Sequence, residues 1–303
     1  MIELIKNTNI DFLGKRYIAF AFSGILFILG IIAIIEIARG HANLGIDFAG
    51  GTAIQLKFQK PIALHEIRLA LEKGGVKDFD LQDLPTENKI LIRMKKSEEE
   101  LGSVAESITT VLSKTFPDNT YVVDSTTAIG PKVGGRLRAN AAKAIAVAVV
   151  GLLIYVAFRF QVSFGIGATI ATFHDVLAVL GVFYIMGKEI NLILITALLT
   201  IAGYSLTDTV VVFDRIRENL KLKQREDLKA VMNSSINEVL SRTIITSATV
   251  LLTSLALFFF GGEVIHDFSL AIIMGVIVGT YSSIFVASPI VLLWGGKRPF
   301  AKK

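Results

Sequence analysis

The chain has 303 residues, of which 52% are hydrophobic and only 19% charged, with a mean hydropathy of +0.62 and a formal charge of +5. Soluble domains carry roughly 25% charged residues, so this composition excludes an ordinary water-soluble protein, and the apolar content excludes disorder, collagen and coiled coil. With no cysteine there is no disulfide framework, thiolate metal site or cysteine nucleophile.

In chain order, residues 1–38 form a short basic N-terminus and a first apolar span, Tyr17–Ala38. Its apolar run exceeds the roughly 7–15 residues of a signal-peptide core, so it reads as an uncleaved anchor. The stretch 39–138 is long enough for a separate α+β domain. Thr52–Phe58 alternates like a strand, and Pro61–Lys73 has helical spacing through Ile62, Ile67 and Leu71. Phe79–Leu84 and Lys89–Met94 predict two more strands. Ser97 with Glu100 predicts a capping box on a helix ending near Thr115, and Tyr121–Ile129 is a last strand rich in β-branched residues. The order βαββαβ is the ferredoxin-like split motif. It carries no His/Cys cluster and no nucleophile elbow, so a binding or lever role is expected of it.

Residues 139–296 hold five more spans: Ala139–Phe158, Phe164–Met186, Ile190–Phe213, Thr243–Phe260 and Phe268–Trp294, each near the roughly 20 residues that cross a bilayer. Between the fourth and fifth, about 214–241 is charged and then amphipathic. Leu228, Val231, Met232, Ile236, Val239 and Leu240 share one face, which predicts a helix lying along the membrane surface. Orientation follows the cations. Lys6, Lys15, Arg16, Arg159, seven cations from Arg215 to Arg242 and the 297–303 tail fall on one side, while the opposite short loops hold Lys188 alone. Six spans with both termini cytoplasmic and residues 39–138 extracytoplasmic satisfy this asymmetry. The basic balance is thereby a topology signal and not a nucleic-acid footprint.

An ionisable side chain at mid-bilayer costs about 2.5–3.5 kcal/mol on insertion scales, so its retention needs a reason. Asp175, beside His174, lies near the middle of the third span; Asp208 lies in the fourth, and Arg242 opens the fifth. Asp208 shares a stripe with Tyr204, Ser205, Val212 and Arg215. Arg242, Thr246, Thr249 and Thr253 recur at i, i+4, i+7 and i+11 as one seam. Such seams are expected to meet inside the bundle, because lipid cannot hydrogen-bond them. Two readings of Asp208 stand at this point: a static pair with Arg242 or Arg215, or a proton carrier. Asp175 reads as a helix-bonding group or a relay member, and His174 as a packed histidine or a proton carrier. Gly275, Gly279 and Ser283 form a small-residue face of the kind that packs closely. No G-x-x-x-x-G-K-[ST] or H-E-x-x-H pattern occurs, so no nucleotide hydrolysis by a P-loop is expected.

Gly45-Ile46-Asp47-Phe48-Ala49-Gly50-Gly51-Thr52, the stretch from Gly203-Tyr204-Ser205 through Asp208 to Asp214-Arg215-Ile216-Arg217-Glu218-Asn219, the His174-Asp175 pair and Ile129-Gly130-Pro131-Lys132-Val133-Gly134 together resemble the SecD/SecF family of protein-export membrane proteins. The resemblance covers nearly the whole chain. It implies an RND-like half with six transmembrane helices, a subunit that pairs with SecD, joins the SecYEG channel and YajC, and uses the proton motive force on translocating preproteins in the cytoplasmic membrane. It implies no cofactor, no metal and no nucleic acid. The family's proton-coupling Asp and Arg fall on Asp208 and Arg242, with His174, Asp175, Ser205, Thr207, Thr246, Asp214 and Arg215 as the supporting polar network and Gly45, Asp47, Gly50 and Gly51 as the signature. Thr207 stands where the family usually has Asn, and Gly135-Arg136-Leu137 replaces a more usual Lys-Glu-Leu. The Gly-rich signature also has a local reading, positive φ at a tight turn into the first strand, with a hinge as the sharper alternative. Competing functions are half of an RND-type small-molecule exporter, an intramembrane aspartyl protease using Asp175 and Asp208, and a purely structural assembly factor.

Overall fold

A computed structural model of the chain describes residues 8–76, 79–84, 88–94 and 101–294. The expected capping box at Ser97 and Glu100, Lys6 and the 297–303 tail lie outside these. The chain divides into two compact units, one made of the residues up to Asn43 and from Ala144 onward, the other of Leu44–Lys143.

The first helix, α1 (Arg16–Arg39), follows a 3-10 turn at Leu13–Lys15 and stops at Gly40, whose φ of 78° is left-handed. The smaller unit then runs α2 (Ile46–Ala49), β1 (Gly51–Phe58), α3 (Leu64–Lys73), β2 (Phe79–Leu84), β3 (Lys89–Met94), α4 (Leu101–Thr115) and β4 (Tyr121–Ile129). The strands form one four-stranded sheet of order β2-β3-β1-β4 with every neighbouring pair antiparallel. The register opposes Ile54 to Ile92 and Leu56 to Ile90. With the two-residue period of a strand, these four side chains share one face and close against Ile67 and Leu71 of α3 and Ile108 and Leu112 of α4. β4 lies at the edge, its residues from Val122 to Ala128 exposed.

Gly50 joins α2 to β1 at φ 73°, ψ 167°, a region essentially reserved for glycine. A side chain there would also press on the turn that follows β4, its Cβ 3.3 Å from the Ile129 carbonyl oxygen and 3.2 Å from Pro131 Cα. Gly51 is positive too, at φ 125°, whereas Gly45 sits at an ordinary φ of −62°. The signature is therefore a tight turn at its last two glycines, with Gly45 at the N-cap of the single turn of α2 and Asp47 within it.

The larger unit continues with α5 (Pro131–Arg159), whose first residues belong to the smaller unit, α6 (Val162–Ile185), α7 (Leu192–Leu222), α8 (Leu228–Phe260), α9 (Glu263–Ser282), a π-turn at Ser283–Ala287 and α10 (Ser288–Trp294). Among the described residues six helical stretches are long and apolar enough to cross a membrane, as expected from the sequence. At least half of the most apolar stretch is buried in α6, in α7 and in the α9–α10 stretch, but little of it in α5 or α8. α1 and α6 cross at glycine: a Cβ on Gly30 would fall 2.4 Å from the Leu177 carbonyl oxygen, and one on Gly181 2.7 Å from the Gly30 nitrogen.

The segment about 214–241 departs from expectation. It is not one helix along the membrane surface. α7 continues to Leu222 and α8 begins at Leu228, capped by Asp227, whose carboxylate accepts from the backbone of Lys229 and Ala230. The apolar face is real, but it packs on protein: Val231, Met232, Ile236 and Leu240 bury against Phe213, Ile216, Leu220 and Leu13. An amphipathic stripe reports that one face avoids water without saying whether lipid or a neighbouring helix covers it.

The residues before α1 are clipped to the same hairpin. Asn233 Oδ1 accepts from Phe12 N at 2.9 Å, Asn237 Oδ1 from Ile10 N at 3.0 Å, and both Nδ2 atoms donate to the Ile10 carbonyl. Two asparagines one helical turn apart thus replace a missing backbone partner.

Expressed alone, Asn43–Arg138 should fold cooperatively, and Gly50→Ala should lower its unfolding free energy by about 1–3 kcal/mol; urea titration followed by circular dichroism checks both. Asn233→Ala should release the N-terminal strap and cost about 1 kcal/mol, read as faster proteolysis ahead of α1. The Gly14 N–H, helped by Lys229, holds the exposed Asp11 carboxyl below its usual range against the opposing effect of desolvation. Its contribution to the strap is fully present above the ordinary Asp value of about 3.9 and is lost as pH falls through the lowered folded value.

Candidate functional site

The polar centre of the larger unit is built on three helices. Asp175 of α6 is fully buried, and three donors from three helices converge on it. His174 Nδ1 lies 2.9 Å from Oδ1, and Oδ2 accepts from Ser205 Oγ of α7 and from Ser282 Oγ of α9 at 2.6 Å. With the carboxylate ionised all three partners act as donors, which makes these charge-assisted bonds. His174 Nε2 is buried without a partner. Thr172, expected on the same face, bonds back to its own helix at Ala168 O, 3.0 Å away.

Asp208, one turn along α7 from Ser205, is 7% exposed and accepts from Ser283 Oγ at 2.6 Å. Thr243 of α8 faces the same carboxylate, and its buried Oγ1 has no hydrogen-bond partner. Among the described residues no Lys or Arg pairs with Asp175 or Asp208; the one ion-pair contact is His174 with Asp175. The static pairs with Arg242 or Arg215 are absent. Arg215 pairs instead with Glu218 at 2.7 Å and Glu238 at 2.5 Å. Asp214 pairs with Arg159 and, at 3.6 Å, with Arg217. These groups tie the end of α5 and the α7–α8 hairpin together and do not reach the buried carboxylates.

The seam on α8 is rotated from its expected position. Arg242, Thr246, Thr249 and Thr253 are all exposed, and the three threonine hydroxyls bond back to carbonyls of their own helix. The polar residues of α8 that turn inward are Ser235, Thr243, Ser247 and Ser254. Ser247 accepts from the Tyr204 hydroxyl at 2.9 Å and contacts Thr280 at 2.6 Å, joining α7, α8 and α9. One residue is about 100° on a helix, enough to exchange an inner seam for an outer one. Thr207 is exposed and bonds back to Gly203 O at 2.9 Å, so it makes no bond to Asp208.

Ser282, Ser283 and Thr243 were the partners that sequence reasoning did not assign. Ser283 had been placed only on a small-residue packing face. That face is also present: a Cβ on Gly275 would fall 2.3 Å from Ile201 Cγ1 of α7, so this glycine lets α9 approach α7, while one on Gly279 would make ordinary contact with Ser205 Cβ at 3.4 Å. The readable signal was Pro289. A proline lacks the N–H that would bond residue 285 and its ring clashes with that carbonyl, and the π-turn at Ser283–Ala287 lies immediately before it. Ser288 Oγ donates to the Ser283 carbonyl within this turn at 2.9 Å. A widened turn of this kind often marks a functional position.

The profile described as "Protein export membrane protein SecD/SecF, C-terminal" matches residues 107–297, and "SecD/SecF GG Motif" matches residues 42–62. A protein translocase subunit SecF of Thermodesulfovibrio yellowstonii is 60% identical over 297 residues, covering 97% of this chain and 98% of that one. The SecF of Calditerrivibrio nitroreducens is 45% identical, with 96% of each chain covered. The crystal structure of SecDF from Thermus thermophilus, a translocon-associated membrane protein, superposes with a TM-score of 0.84 at 37% identity over 96% of this chain. The chain spans 39% of the length of that SecDF polypeptide. With profile matches, near full-length relatives and six membrane-length helices in agreement, this multi-pass membrane protein belongs to the SecD/SecF family of protein-export proteins.

Proposed function

We propose that this chain is the SecF-type accessory subunit of bacterial protein export, which pairs with SecD and uses the proton motive force to promote preprotein translocation after the ATP-driven stage. It works beside the SecYEG channel and YajC in the cytoplasmic membrane. Both termini are cytoplasmic, and the four-stranded unit is an extracytoplasmic ferredoxin-like domain that meets emerging polypeptide, with the exposed edge β4 as a ready surface. It carries no nucleotide hydrolysis of its own.

The observation that carries the reading is Asp208 buried among hydroxyls, with no Lys or Arg paired with it among the described residues. A permanently ionised carboxylate at this depth is costly, whereas one that alternates between charged and neutral forms suits a hydroxyl shell. The magnitudes agree. About 2.3 kcal/mol is available per charge per 100 mV, comparable with the roughly 1.5–3 kcal/mol of a hydrogen bond to a charged group. Proton entry can therefore exchange the Ser283–Asp208 bond for another arrangement. Arg242 supports the same reading from outside. The three threonines beside it are satisfied by their own helix, but an arginine on an exposed helix face at membrane depth requires a protein or aqueous neighbour, because lipid offers it no partner. A SecD-type bundle carrying an acidic residue meets that need.

Asp208→Asn keeps the shape and removes the titrating group. In membrane vesicles carrying SecD and the channel, it should assemble normally yet lose gradient-dependent export, while ATP-driven export stays within about twofold. Normal gradient-driven export would reduce Asp208 to a structural residue. Arg242→Ala should also abolish gradient-dependent export, and Arg242→Lys should restore part of it, since the charge is kept and the guanidinium fork is lost.

A further inference from the structure

Asp175 is as deeply buried as any carboxylate in the larger unit, yet the reading above leaves it no task. Its surroundings repeat those of Asp208. Ser282 donates to Asp175 Oδ2 at 2.6 Å and Ser283 donates to Asp208 Oδ2 at 2.6 Å. The two serines are consecutive at the junction of α9 with the π-turn. Each hydroxyl also has a second acceptor on its own helix, Gly279 O at 3.2 Å for Ser282 and Thr280 O at 3.1 Å for Ser283. Each serine thus has two alternatives: donate to a charged carboxylate, or turn back to the helix when that carboxylate is protonated and becomes a donor itself.

We propose that Asp175 is a second proton-holding residue of this site, and that Ser282 and Ser283 tie its protonation state to that of Asp208. The inference rests on the proton-coupling reading of Asp208. The groups facing Asp175 are His174 on its own helix, Ser205 from α7 and Ser282 from α9, and those facing Asp208 are Ser283 from α9 and Thr243 from α8. No cation faces either from a packed element among the described residues, and the two carboxylates are within electrostatic reach of each other. A charge on one therefore opposes a charge on the other, with no arginine to absorb it. Two buried polar atoms without hydrogen-bond partners border the pair, His174 Nε2 and Thr243 Oγ1.

The wide turn supplies the link. When a proton binds Asp208, the Ser283 hydroxyl turns to Thr280 O, and the turn that Ser288 holds through the Ser283 carbonyl adjusts with it. Ser282 is the next residue back, so its bond to Asp175 changes in the same motion. The turn also carries Phe285, whose ring meets Phe12 of the N-terminal strap at 5.6 Å.

The test is a pH titration by infrared difference spectroscopy of the full chain, co-purified with its SecD-type partner in lipid, following carboxylic C=O bands. The wild type should show two coupled proton-uptake steps that disappear singly in Asp175→Asn and Asp208→Asn. In Asp175→Asn the remaining step should be displaced by about tenfold in proton concentration, one pH unit. An Asp208 step unmoved by Asp175→Asn overturns the proposal. If Asp175→Asn does not assemble, Ser282→Ala keeps both carboxylates and the Ser205 and His174 bonds. It should displace the Asp175 step, and Ser282→Thr should restore it; steps unchanged in Ser282→Ala also overturn the proposal. The spectra report protonation whether or not export is gradient-driven, so loss of the export reading and loss of this one are separate results.

Discussion

A hydrocarbon layer cannot hydrogen-bond, so a carboxylate placed within it must find its donors on neighbouring helices. The larger unit is organised around that requirement. Asp175 draws one donor from α6, one from α7 and one from α9, and these three elements are among the most buried spans. Donors as short as serine reach the carboxylate only if the backbones come close, and on α9 Gly275 permits it, since a Cβ there would fall 2.3 Å from Ile201 Cγ1 of α7. The small-residue face and the polar centre are one arrangement: close packing brings the hydroxyls in, and the hydroxyls make close packing favourable.

The same economy shapes the last span. Pro289 cannot donate to a regular helix, the chain widens into the π-turn just before it, and the Ser288 hydroxyl donates to the Ser283 carbonyl there. The π-turn then presents Ser283 to Asp208 on one side and Phe285 to Phe12 on the other. Phe12 belongs to a strap whose backbone is hydrogen-bonded by Asn233 and Asn237 of α8. A change at the buried carboxylate and a change at the helical hairpin accordingly share a chain of direct contacts, a physical path whose coupling is a matter for measurement.

The charged network at that hairpin has a different role. Asp214 with Arg159 and Arg217, and Arg215 with Glu218 and Glu238, are partly exposed. Pairs of this kind contribute roughly 0–1 kcal/mol each. The cohesion of the hairpin rests instead on Phe213, Ile216, Leu220, Val231, Met232 and Ile236, which are fully or almost fully buried. The ion pairs set which helix ends meet, and the apolar contacts hold them there.

The number of spans, the strand limits at Phe79–Leu84, Lys89–Met94 and Tyr121–Ile129, and the unusual polarity of Asp175 and Asp208 were all legible in the sequence, because each depends on local length, a two-residue period or a single out-of-place side chain. The rotation of α8 was not. A helical period defines which residues share a stripe, Arg242 with Thr246 or Thr243 with Ser247, but not which stripe faces inward; packing against α7 and α9 chose the second. The amphipathic run at 228–240 was equally ambiguous, since lipid and protein satisfy the same pattern, and only the tertiary contacts assigned it to a hairpin. The serines that bond the two carboxylates come from residues 107 and 75 positions away. No local pattern can report a contact at that separation, so it was the packing of α9 that decided what Asp175 and Asp208 touch.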